Sequence, residues 1–166
     1  MLKNMMAGLF VVVFFLGCGN DSVAVENIKP ELVVGNNVSS LEFQDQFDKK
    51  HTIGNENKYL VLAFSKKVGH EVNDYLATQK PTFLKDHQAL FISDLSAAPS
   101  LIRSMFILPG LKDFKYEVLV ITDENRAKAF QPQEKMKEHI MIVTLNQGVI
   151  QEIRFIDKAN ELDKAL

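Results

Sequence analysis

Apolar positions along this chain alternate between unbroken runs and helical stripes. Tyr59 to Phe64, "YLVLAF", is apolar throughout, as in a strand buried on both faces of a sheet. Ala89 to Asp94, "ALFISD", and Tyr116 to Thr122, "YEVLVIT", read as two more strands. After the first run, Val68, Val72, Tyr75, Leu76 and Gln79 recur at i, i+4, i+7, i+8 and i+11, which predicts a helix. Pro81 interrupts that helix or opens a further turn reaching Leu84. After the second run, Ser96 and Pro99 open another helix. Leu101, Ile102, Met105 and Phe106 are its expected apolar stripe, and Pro109-Gly110 stands near its end. Leu41 to Ile53 places Leu41 and Phe43 on one face and a polar turn at Asp45 to Lys50, the pattern of a hairpin. Ile140 to Leu145 and Val149 to Ile156 flank "NQG", whose Gly148 can take a positive φ, and form a second hairpin. Asp157 begins a last helix with Ala159, Leu162 and Leu166 on one side.

The expected order is therefore hairpin, β-α-β-α-β, hairpin, helix. Right-handed crossovers make strands 59–64, 89–94 and 116–122 parallel and place helices over both faces. The second hairpin adds antiparallel strands at one edge. This predicts a three-layer α/β/α domain around a mixed central sheet.

The N-terminus follows a different logic. Lys3 is the only charge in residues 1–17, and Met5 to Leu16 is an apolar stretch too short to span a bilayer, which takes about 20 residues. Gly17 then precedes Cys18. The ending "FLGC" resembles the lipobox of bacterial lipoproteins, with Phe15 where leucine is usual. That resemblance implies a signal peptide over 1–17, a diacylglyceryl thioether on Cys18, cleavage before Cys18 and acylation (palmitate or a related chain) of the new amino terminus. The alternative is an uncleaved apolar anchor. Residues 18–38, with Pro30, Gly35 and several asparagines but no sustained period, are expected to tether the lipid to a domain over 39–166. Lipidation implies export and a membrane-bound address facing the periplasm. Gly19 after the cysteine permits the outer membrane in some double-membrane bacteria, and inner and outer membranes both stay open.

Composition narrows the function. Loss of residues 1–17 removes one lysine and moves the formal net charge from −2 to −3. Both signs are interspersed, so neither nucleic acid nor an anionic surface is favoured as partner on charge alone. Cys18 is the only cysteine. The domain beyond it has no disulfide, no thiolate nucleophile and no cysteine-based metal site. About 150 residues suffice for one core without such staples. No G-x-G-x-x-G or G-x-x-x-x-G-K-[ST] occurs, so no nucleotide or flavin cofactor is expected, and no metal motif is present.

The element order resembles the thioredoxin-like superfamily in its peroxiredoxin-like version, and within it the periplasmic YtfJ-like group. "LEFQDQFDKKHTI" is similar to the hairpin that introduces such domains, "YEVLVITDENRAKAF" to their third-strand segment, and "IMIVTLNQGVIQEIRFI" to their closing hairpin. The likeness covers residues 39–166. It fails at the chemistry. Aligning "FSKKVGHEV" with the redox segment puts Gly69 and Val72 where the cysteine pair stands, and Glu138 and His139 occupy the place before the closing hairpin where a proline is expected. A thiolate is what such chemistry needs. Thiol-disulfide exchange and thiol peroxidase activity are thereby excluded.

What remains at that corner is a helix N-terminus with Lys66, Lys67 and His70 beside it, able to hold an anion or a carboxylate. The plain alternative is lysines in water and a histidine that caps or faces solvent. The resemblance brings His139 near the same corner. His70 and His139 facing one another, with Glu71 or Glu138, would allow a metal or an acid–base pair. His51 and His87 read as surface residues in polar turns, and Ser65 as a strand end. Two functions follow: a non-redox binding or assembly module that recognises a protein or peptide, or an enzyme of unrecognised type, metal- or histidine-dependent, on the same scaffold.

Overall fold

The computed structural model describes residues 29–166. Seven strands form one sheet in the order β2-β1-β5-β4-β3-β6-β7. β1 (Glu42–Asp45) and β2 (Lys50–Thr52) are the first hairpin, and β3 (Tyr59–Ala63) leads into α1 (Lys66–Thr78). A single turn, α2 (Phe83–Asp86), precedes β4 (Ala89–Asp94). β5 (Leu119–Ile121) follows the next crossover, then α5 (Glu124–Phe130), β6 (Ile140–Asn146), β7 (Val149–Ile156) and α6 (Leu162–Ala165). β3, β4 and β5 are parallel, with Val61 opposite Phe91 and Ile92 opposite Leu119. β1 and β6 flank them antiparallel. The expected three-layer architecture with a mixed sheet is the one observed.

Alternation along the strands divides the core into two halves. Leu60, Leu62, Ile92 and Leu119 face one way, against Phe43, Ala127, Phe130 and Ile150. Val61, Ala63, Phe91 and Val120 face the other way, against Val68, Val72 and Leu76 of α1 and Leu162 of α6. Burying one such side chain contributes about 1.5–3 kcal/mol, which is why all-apolar strands end up covered on both faces.

Three details depart from the sequence reading. The closing turn has two residues, since Asn146 pairs with Val149 while Gln147 and Gly148 take φ of 49° and 77°. The expected tether is docked over its last part: Glu31 N–H donates to Ala129 O, Gly35 N–H to Ile150 O and Val38 N–H to Gly148 O. Val38 is buried, so the folded unit starts before residue 39. The last helix begins at Leu162, after a 3₁₀ turn at Ala159–Glu161.

The second crossover, between β4 and β5, is the main correction. α3 (Ser100–Ile102) and α4 (Leu108–Leu111) are joined by a π turn, Arg103–Ile107, in which Leu108 N–H donates to Arg103 O. Pro109 has no N–H for an ordinary i→i−4 bond, and a widened turn just before it accommodates that loss. The inward residues are Arg103, Ile107, Leu108 and Leu111. Arg103 donates to the carbonyls of Leu95, Ser96 and Ala98 at 3.2, 3.1 and 2.8 Å and pins the loop after β4. Leu101, Ile102, Met105 and Phe106, the stripe expected inside, face solvent.

Candidate functional site

Strand register gathers the corner at one end of the sheet. Leu62 pairs with Met141, Ala63 with Ser93 and Ile140 with Ile156. The ends of β3, β4 and β7 thus lie beside the start of β6. Ser65 is extended (φ −128°, ψ 156°), and its Oγ accepts from Val68 N–H at 3.3 Å, so this residue is the cap that starts α1. Lys66, Lys67 and His70 are exposed on the first turns, which carry no acidic side chain in the opening turn. The two positions aligned with the cysteine pair are buried: Val72 is fully enclosed, and a Cβ on Gly69 would sit in ordinary contact with Ser93 Oγ at 3.4 Å. Core packing fills the place of the chemistry.

His139 stands at the start of β6, and its Nδ1 lies 2.8 Å from Asp157 Oδ1. Glu71 accepts from Ala159 N–H at 3.0 Å through Oε1. The short segment 157–159 therefore fastens both His139 and the first turns of α1. This alters the expected partnership. The carboxylate of His139 is Asp157, neither Glu71 nor Glu138, and Glu71 is engaged with a backbone donor. Among the described residues, His70 and His139 belong to no three-membered group of metal-ligating atoms. Cys18 lies outside the described residues.

A second cluster had no forecast. Asp45, His51 and Glu117 present ligand atoms within 4.8 Å of one another. His51 Nε2 is 2.7 Å from Asp45 Oδ2, and Asp45 Oδ1 accepts from Phe47 and Lys49 N–H at 2.8 and 3.0 Å. Burial alone would raise the carboxyl of Asp45. The bonds from His51, Phe47 and Lys49 outweigh it and hold this carboxyl below its ordinary value. Lys49 Nζ is also 3.6 Å from Glu117 Oε1, so an ammonium already neutralises this side. The set could hold a cation, but its bonds organise the β1–β2 turn. His51 and His87, expected as surface residues, are both part-buried, and His87 Nδ1 lies 2.8 Å from Phe83 O. A register-aware reading finds the first pair: Phe43 pairs with His51, so Asp45 and His51 share the face of Phe43.

A cavity of about 760 Å³ opens at the far end of the parallel strands, lined in part by Phe47, Asn57, Lys85, Gln88, Phe114 and Glu117. Phe114 stacks on Tyr116 at 5.2 Å. Burial, with the charge of Asp74 adding to it, raises the Tyr116 phenol above its ordinary value, and its hydroxyl donates to the carbonyl and Oδ1 of Asn73 at 3.0 Å. That side chain braces α1 and is not poised to ionise.

No protein-family model matches the chain, and no curated protein matches its sequence. Solved structures do. A putative thioredoxin from Neisseria meningitidis superposes with a TM-score of 0.52 at 12% identity, over 78% of this chain and 89% of that one. Peroxidoxin BcpB from Mycobacterium tuberculosis gives 0.51 at 14% identity, over 80% and 92%. StoA from Bacillus subtilis gives 0.50 at 8% identity, over 75% and 93%. At such identities the likeness shows fold alone. The chain has a thioredoxin-like fold, and beyond Cys18 that fold carries no cysteine.

Proposed function

We propose that this protein is a membrane-tethered, non-redox lipoprotein of the periplasmic, YtfJ-like kind, a binding or assembly module held through lipid on Cys18. Its partner is a protein or peptide carrying a carboxylate or other anionic group, received at the corner of Lys66, Lys67, His70 and His139. One observation carries this reading. Gly69 and Val72 are buried while Lys66, Lys67 and His70 around them stay exposed at a capped, positively polarised helix start. A scaffold can lose its chemistry and keep a surface that recognises. The His139–Asp157 pair is the feature that favours the second reading, an enzyme of unrecognised type, since a histidine oriented by a carboxylate can move protons.

The test replaces Lys67, His70 and His139 together by Ala in the lipidated protein and compares what each form retains from detergent-solubilised native membranes. Unfolding curves first establish that the triple variant is folded. A partner held by wild type and lost by the variant is the expected result. An identical set of retained proteins overturns the corner as recognition site. Stoichiometric zinc, copper or iron in the purified protein would transfer support to the enzyme.

A further inference from the structure

We infer that the outward face of the 100–111 helix rests on the bilayer surface, so that the domain lies against the membrane on this side. The inference depends on the lipidation reading above and goes beyond it by fixing an orientation. Leu101 and Phe106 are each 65% exposed, Met105 57% and Ile102 42%. They form one patch because the π turn holds Arg103 inward and rotates these four out together. The opposite side of the same helix is already occupied, with Ile107, Leu108 and Leu111 packed on the core half that contains α1. A helix apolar all round needs an apolar neighbour on each side. Here one of them is outside the domain.

Charge and length identify that neighbour. The eighteen residues 95–112 contain no aspartate or glutamate in a chain with 21 acidic residues; of their two cations Arg103 is turned inward and Lys112 is exposed. An acid-free apolar face suits an anionic headgroup layer, where each nearby acid would be repelled. Ser104, the exposed polar side chain between Leu101 and Phe106, donates to Leu101 O at 3.2 Å and so brings no bare hydroxyl to the patch. No helix among the described residues is long and apolar enough to cross a membrane, so this one would lie in the interface plane. Ten residues separate Cys18 from Lys29, and extended they span about 35 Å. Glu31 is fastened to Ala129, in the core half on the other side of the sheet. Packed layers lie about 10 Å apart, so about 35 Å exceeds the two layer spacings, about 20 Å, between the helix on one side of the sheet and Ala129 on the other. The anchor and the patch can therefore engage the same membrane at once, and the anchor raises the local concentration of the patch at that surface.

The chain has no tryptophan, which provides a direct readout. Phe106→Trp places a single reporter on the patch, and Phe47→Trp, at a 53% exposed position on the β1–β2 turn, places one at the far cavity. Each lipidated full-length variant is reconstituted into vesicles of phosphatidylethanolamine and phosphatidylglycerol, with or without bromine on the acyl chains. Bromolipid should quench Phe106→Trp at least twofold and Phe47→Trp by less than about a tenth. Adding Ile102→Asp and Met105→Asp, both at exposed positions, should bring the first value down to the second while the unfolding midpoint stays put. Co-flotation without quenching at position 106 overturns the docking and leaves the anchor standing. Failure to co-float overturns the anchor and the docking with it. Equal quenching at both positions overturns the assigned face. Shielding of position 106 that grows with protein concentration and ignores bromine makes the occupant a second copy of the chain, and also overturns it.

Discussion

Substituting alanine at three glycines separates backbone strain from steric conflict, and tests how residues 35–39 are fixed to the domain. Gly148 has φ +77°, and an added Cβ would sit 2.5 Å from Ser39 Cβ and 3.2 Å from Ser39 N. The left-handed conformation costs an alanine about 1–2 kcal/mol. The overlap cannot be relieved by rotating a side chain, because the obstruction includes backbone. Residues 37–39 must move, which weakens the Val38 N–H bond to Gly148 O and the Asn37–Val149 bridge, each contributing about 1 kcal/mol net. Gly148→Ala should therefore lose about 2–4 kcal/mol. Gly35 has φ +91° with nothing within 4 Å, so Gly35→Ala should show the strain alone, about 1–2 kcal/mol. Gly110 lies in α4 with open space around it, and Gly110→Ala should gain about 0.5–1 kcal/mol from helix propensity. Urea unfolding of the four proteins at equal m-values is the assay. Three equal losses, or a Gly148→Ala within about 0.5 kcal/mol of wild type, would refute the docking of residues 37–39 on the closing turn.

Other outcomes follow from the same structure. Leu62→Ala and Phe91→Ala, in opposite core halves, should each cost about 2–5 kcal/mol, while the exposed Lys49→Ala should stay within about 0.5 kcal/mol, all read from denaturant midpoints. Asp45 is held below its ordinary value of 3.8 in the folded state, so its ionised form contributes stability above that value, and the contribution is lost as pH falls through the lower folded value. Asp45→Asn should be less stable near neutrality and show a flatter decline below about pH 4; parallel curves for variant and wild type would contradict this. Cys18→Ala should abolish metabolic labelling with a fatty acid and release the protein from the lipid-anchored fraction, whereas equal label would remove the lipoprotein reading.

The parts legible in the sequence are those where one period has one outcome. "YLVLA" and "ALFI" are apolar at consecutive positions, as in strands covered on both faces. The 100–111 segment offered two apolar faces, 101/102/105/106 and 107/108/111, and periodicity cannot choose between them. The choice was made by Arg103, whose guanidinium reaches three carbonyls of the preceding loop, and by Pro109, which forces the widened turn. α5 was hidden because it is seven residues long; its signal is the cap at Asp123, which accepts from Arg126 N–H at 2.8 Å. At the corner, the types of Lys66, Lys67, His70 and His139 were visible but their partners were not. His139 meets Asp157, eighteen residues along the chain, only because β6 and β7 pair as a hairpin. The Asp45–His51 bond was missed for a similar reason, since it depends on hairpin register rather than on spacing.

The proposed contact between the corner of α1 and a protein partner can be tested directly. A photo-crosslinking amino acid at Lys67, on the exposed first turn, tests it in intact membranes, with the same residue placed at the exposed Lys80 beyond the other end of α1. A discrete cross-linked species is expected from position 67 that position 80 does not give. No product at position 67, or the same products from both positions, would contradict it.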